Sequence, residues 1–327
     1  MTNREKTVGY GFTLLAASLW GLIPPVAKLA FREGIGPLEL AFWRAALAGV
    51  GFALVAAARG QLALPARSEE GGADRWQTLA ERLVFGLVGV ALFYASYHWA
   101  VEAGGAALAA ALLYTAPAQV AVAGAVLFSQ PLTRLKVAAA IMAVGGAAGV
   151  ALGGGSVEAD SFTDGSLWTG VLWGLITSVC YAFYYLFGER FFRAESPVAV
   201  YAWAFPFGAL CLGLAGGGPS DLGLSLTGWG AVLLVALAST FGAYLAHGDA
   251  LRRLDPTRVS IVTVLELVVA SGVAYWWWGE RLGLPGWSGA VVILVAALLA
   301  VTERGASPPK REKAHARRSL CHGSPRR

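Results

Sequence analysis

The sequence predicts an all-α integral membrane protein whose ten transmembrane helices form two inverted five-helix repeats. Three observations carry that prediction. The chain of 327 residues is 57% hydrophobic and 14% charged, with a mean hydropathy of +0.60, which is far from the balance of a soluble globular domain. Apolar stretches of about 20 residues, each enough to cross a hydrocarbon core of roughly 30 Å as a helix, recur from one end to the other. Finally, the second half repeats sequence signals of the first at nearly constant spacing.

The first stretch, 10–31, follows Arg4 and Lys6 and contains "LLAAS", the beginnings of a secretory signal. It runs on through "LWGLIPPVAKLAF" to Phe31, longer than a signal core, and nine more follow, so it reads as the first span. The others lie at 37–58, 83–101, 104–128, 135–153, 167–188, 197–215, 228–249, 257–278 and 285–302. The fourth and fifth carry small-residue runs, "GGAALAAALL" and "IMAVGGAAGVALGGG", which permit close helix contacts within the bundle or across a homodimer. The ninth holds a carboxylate, Glu266, and ends in Trp276, Trp277 and Trp278, which mark an aromatic belt. Alternating segments of about ten residues are missing, which excludes a β-barrel. Cys180, Cys211 and Cys321 form neither a metal pattern nor a disulfide framework, and the first two read as packing residues.

Charge placement supplies the orientation. The net charge is +5, and 21 of the 25 basic residues fall on alternate connections and the two termini. The opposite side carries Arg32 and Arg281. Basic residues are retained on the cytoplasmic face, so both termini are expected there and an even number of spans is required. The charge thus reports topology and contact with anionic lipid headgroups, not a nucleic-acid partner. The chain divides into a cytoplasmic N-terminus (1–9), a first repeat (10–153), an outer linker (154–166), a second repeat (167–302) and a basic tail (303–327) that reads as disordered.

The halves align twice. "LLYTAPAQVAVAGAVLFSQPL", 112–132, matches "VTVLELVVASGVAYWWWGERL", 262–282, at an offset of 150, and "GIGPLELAFW" matches "AESPVAVYAW" through Pro37 and Pro197 at an offset of 160. Five helices per half is an odd number, so the second copy crosses the membrane inverted. Such repeats are a common construction of secondary transporters.

With "LLAASLWGLIPPVAKLA", "GPLELAFWRAAL", "AALAAALLYTAPAQVAVAGAVLF" and "TRVSIVTVLELVVASGVAYWWWGERL" in order, the chain resembles the EamA group of the drug/metabolite transporter superfamily over about residues 8–302. Two positions depart from the pattern. The ninth span has Leu267 where the fourth has Pro117, and the fourth ends in Ser129-Gln130 where the ninth has Gly279-Glu280. The resemblance implies a cell-membrane carrier of small metabolites, proton-coupled or exchanging and often an exporter, with no cofactor. Its relatives carry amino acids, sugars, nucleotide sugars and drugs, so no single substrate is implied.

Glu266 sits about ten residues into its helix, roughly 15 Å down and near the midplane. An ionised carboxylate there costs about 3 kcal/mol on insertion scales, so it must face the bundle interior, and protonation lowers the cost. It reads either as a proton or substrate-amine site or as a structural hydrogen bond or ion pair. Arg44, about 10 Å deep, can bind a substrate carboxylate or phosphate, pair with Glu266, or snorkel outward. Trp20, Tyr94, Tyr114, Gln119 and Tyr181 stand at middle depth, where Tyr and Gln need inward partners. Pro24, Pro25 and Pro117 break backbone hydrogen bonds and are hinge candidates. Lys28 is expected to snorkel, and His98 and His247 to lie in solvated helix ends.

The function classes narrow accordingly. No phosphate-binding loop is present, which argues against an ATP-driven pump in one chain. No catalytic or metal spacing appears, His247 and Asp249 being two apart and on different helix faces, so an enzyme is not expected. A membrane-embedded assembly or signalling protein without transport is the alternative to a carrier.

Overall fold

Helices are expected wherever a long apolar segment meets a bilayer, because a helix satisfies its backbone N–H and C=O groups internally. The computed structural model of the chain describes residues 3–63, 75–153, 166–192, 195–219, 223–281 and 283–302. Among them, ten helices are long and apolar enough to cross a membrane: α1 (Arg4–Arg32), α2 (Pro37–Ala58), α3 (Arg75–Ala106), α4 (Leu108–Phe128), α5 (Arg134–Gly153), α6 (Leu167–Phe191), α7 (Pro197–Gly216), α8 (Leu226–Leu251), α9 (Pro256–Trp278) and α10 (Leu284–Thr302). The expected linker 154–166 up to residue 165, residues 64–74 of the second connection, and the basic tail 303–327 lie outside the described residues.

Two boundaries move for a physical reason. The helix of α1 already begins at Asn3, so most of the expected N-terminal segment is helical. α3 begins at Arg75, eight residues before its apolar run. That extension is amphipathic: Thr78, Arg82 and Phe85 are buried on one face, and the Arg82 guanidinium donates to Glu195 at 3.1 Å. Hydropathy alone cannot see a buried arginine that has found its carboxylate.

The helix ends fall into two groups. At one end, Arg258 donates to the Tyr10 hydroxyl and pairs with Asp255, which also pairs with Lys136 at 3.4 Å. Tyr10 in turn donates to the Ala300 carbonyl. This is the basic end, joining the starts of α1, α5 and α9 to the finish of α10. At the other end, Lys28 pairs with Glu280, Glu33 accepts from the Ser225 backbone N–H, and Gly283 N–H donates to Gly153. Lys28 therefore ends in an ion pair. Trp276 is 85% exposed, whereas Trp278 turns inward, donating to the Pro25 carbonyl and carrying Arg32 over its ring.

Local structure recurs in the two halves at the sequence offset. α4 is interrupted by a turn at Tyr114 and Thr115, α9 at Val264. α3 contains a π-helical segment at Gly86–Leu92, α8 one at Leu234–Gly242. Ser129 and Gly279, 150 residues apart, both end their helices in the left-handed conformation, with φ of 52° and 68°. The residue after each closes the same six-residue loop, Gln130 N–H to Gly124 and Glu280 N–H to Ala274. So Ser129 does the work of a glycine, and α9 breaks without the proline that α4 uses.

The small-residue runs pack within the bundle. α5 lies along α10 and α2 along α7. A Cβ added to Gly146 would lie 2.8 Å from the Gly289 carbonyl oxygen and from Ile293. This is the backbone-to-backbone approach that small residues permit. α3 turns into α4 at Gly105, whose φ of 80° suits glycine, and the neighbouring Gly104 meets Gly170 of α6.

Candidate functional site

Where the helices are interrupted, the bundle lines a cavity of about 160 Å³. α1 supplies Trp20, Gly21, Ile23 and Pro24; α2 Arg44; α3 Phe93, Tyr94 and Tyr97; α4 Ala110, Leu113 and Tyr114; α6 Tyr181; α8 Tyr244; and α9 Glu266, Leu267 and Ala270. The walls are aromatic and apolar, with a carboxylate and a guanidinium as their charged groups.

Each charged group is positioned by a neighbour. The Tyr114 hydroxyl donates to Glu266 Oε1 at 2.5 Å. This bond joins the two interrupted helices at their breaks. α1 packs closely against α9 beside Glu266: at Gly21 a Cβ would meet the Glu266 carbonyl oxygen at 2.7 Å. Arg44 Nε donates to Thr240 Oγ1 at 3.1 Å, and its guanidinium lies 4.3 Å above the Tyr94 ring. Thr240 itself donates to the Val235 carbonyl inside the π-helical segment of α8. Among the described residues no ion pair joins Arg44 to Glu266, although both line the same cavity. The arrangement offers an acceptor and a donor fork to one small guest, on a floor of aromatic rings.

The cavity is closed toward the basic end. Tyr94 and Tyr244 form its floor, their hydroxyls bonded at 3.3 Å. They too are 150 residues apart, so equivalent positions of the halves meet there. Beneath lie Tyr184, Tyr185, Tyr201, Phe205 and His247, all at most 2% exposed. Toward the other end, Pro24 is exposed and Tyr97, Ala110 and Ala270 are partly so. The cavity thus opens away from the basic residues.

Trp20, Arg44, Tyr94, Tyr114, Tyr181 and Glu266 come together around this space, as does Pro24. Gln119 does not. Its amide donates to Ser178 at 2.8 Å and to Thr115, tying α4 to α6 away from the cavity. At middle depth it found its partner between two helices instead of in the interior space. Pro24 and Pro25 follow the turn at Leu22, and Pro117 follows the turn in α4, all in the first turn of the resumed helix. His98 lies near the end of α3, 3.7 Å from Glu102, but His247 is fully buried, its Nδ1 2.9 Å from the Tyr184 hydroxyl. Sequence reading had not singled out Phe93, Tyr97 or Tyr244. Tyr244 was within reach, since adding 150 to Tyr94 lands on it.

Among the described residues no group of three or more His, Cys, Asp or Glu is placed to hold a metal ion. Comparison with curated protein sequences finds no match. A crystal structure of a protein 18% identical in sequence has the same fold, with a TM-score of 0.73 over 92% of this chain and 97% of that one. The sequence profile of the EamA-like transporter family matches twice, at residues 7–152 and 168–302, one match to each half. With most of its length covered by that profile, the chain belongs to the EamA-like family, the membrane transporters of the drug/metabolite transporter superfamily.

Proposed function

We propose that this transporter is a secondary active carrier of small metabolites, amino acids or related solutes, that works as an exporter by alternating access and couples solute movement to protons or to exchange. The observation that carries the reading is that Glu266 and Arg44 line one cavity, each held by its own neighbour and not by the other. Glu266 has one oxygen held by Tyr114 and Arg44 has one nitrogen held by Thr240, leaving the remaining atoms of both groups for a guest. A solute with an amine and a carboxylate satisfies both. A proton on Glu266 satisfies it when the solute has left, which is the exchange a coupled carrier requires.

The halves are read as inverted repeats. Support comes from the five spans in each, from the shared interruptions, and from the meeting of Tyr94 with Tyr244 between them. Inverted halves can exchange conformations and present one central site to each side in turn. The clustering of basic residues supports placement in the cell membrane with both termini cytoplasmic. The closed aromatic floor then faces the cytoplasm.

The test is uptake by proteoliposomes of a labelled amino-acid and metabolite panel under an imposed pH gradient, with wild type beside Glu266→Gln. Wild type is expected to concentrate a solute on the acidic side, while the Gln variant exchanges solute without responding to the gradient. Equal behaviour of the two would make Glu266 structural. No movement of any solute by wild type would favour an assembly or signalling role instead.

A further inference from the structure

Beneath the cavity floor lies a second polar cluster with which the Glu266 and Arg44 site makes no use. Trp20 lines the cavity, and the His247 ring stands 4.8 Å from it, 5.2 Å from Tyr184 and 5.1 Å from Tyr185. Nδ1 meets the Tyr184 hydroxyl, which is 3.0 Å from that of Tyr201. Nε2 is buried with no hydrogen-bond partner. If Tyr184 donates to Nδ1, Nε2 holds the ring proton and is a stranded donor; if Tyr184 accepts, Nε2 is a stranded lone pair. Both arrangements leave a desolvated polar atom without return, and a phenylalanine would fill an aromatic cage at less cost. Packing therefore does not account for a histidine here.

We propose that His247 is a solute-contacting residue of the opposite state, its Nε2 bonding the polar group of the solute once the cavity opens toward the basic end. The proposal rests on the carrier reading above. Geometry supplies the coupling. Tyr244 and His247 lie one turn apart on α8, directly after its π-helical segment Leu234–Gly242. A rotation of that turn parts the Tyr94 and Tyr244 hydroxyls and uncovers Nε2 in the same movement. The solute then leaves Arg44 and Glu266 for a polar group already in its path, on a wall otherwise of phenols and phenyl rings. The ligand class is the one the cavity takes, a small solute with an ionic head group.

The test uses wild-type protein in proteoliposomes, treated with diethyl pyrocarbonate, and reads modification of His247 by mass spectrometry with His98 as reference in the same digest. The labelled amino-acid mixture serves as solute, and its flux is measured in parallel. Expected is slow modification of His247 at rest and at least about tenfold faster modification during turnover, with His98 changing little. In addition, His247→Phe should lower flux about tenfold while His247→Gln, which keeps a polar group at that depth, recovers much of it. Unchanged protection of His247 while flux proceeds overturns the proposal and leaves the carrier standing. So does full activity in His247→Phe. Absence of flux in wild type removes the carrier reading, and this proposal with it.

Discussion

Arg44 shows how much of one residue's work is geometry. Its guanidinium lies over the Tyr94 ring while Nε donates to Thr240 of α8. A lysine keeps the charge but has neither the plane nor a second donor at that angle. Arg44→Lys is therefore expected to weaken solute binding about tenfold or more, measured as the rise in half-saturating concentration for uptake, and wild-type saturation would contradict the role. Glu266 and Arg44 were legible in the sequence because charge at midplane is rare enough to stand out. Gln119 was misplaced by the same logic: an amide needs a partner, and depth alone does not distinguish the cavity from the seam where Ser178 waits. Tyr97 and Phe93 were invisible, since nothing in an apolar helix marks which aromatic faces an opening.

At the scale of the element, apolar length predicted all ten helices, and what it missed lay at their polar extensions and interior breaks. The turn at Val264 has no proline to announce it, and the π-helical segments leave no composition signal. The small-residue runs announced close contact without naming the partner. The structure answers with α5 against α10, where Gly146 faces the backbone of Gly289. Gly146→Leu cannot be absorbed there without separating the helices. A loss of about 2 to 3 kcal/mol is expected, the upper part of the usual range for overpacking. It should appear as a lower melting temperature in detergent, whereas Gly145→Leu, at an exposed position where an added Cβ meets nothing within 4 Å, should leave it nearly unchanged.

In the whole molecule, the bonds that close the basic end cross between the halves. Asp255 caps α9 by accepting from the Arg258 backbone N–H, and it takes Arg258 and Lys136 side chains as well. It thus ties the start of the helix that carries Glu266 to α5 of the other half. Asp255→Asn keeps the cap and weakens both ion pairs, which shifts the balance toward opening at the basic end. A cysteine at Ala270, on the open side of the cavity, should then react more slowly with an impermeant thiol reagent added from that side. Equal or faster labelling would show that this cluster does not hold the state. The twofold sequence repeat foretold the two-half architecture, but which side is sealed depends on rings packed edge to face around Tyr244, whose contacts no spacing rule gives.

The most direct test of the central claim is to record protons and solute in the same vesicles, with a pH-sensitive dye inside and labelled amino acid as solute, for wild type and Glu266→Gln. If Glu266 carries the proton that replaces the solute, adding solute to wild type moves protons in the opposite direction, and Glu266→Gln exchanges solute with no proton signal. An equal proton signal in both proteins would contradict the account.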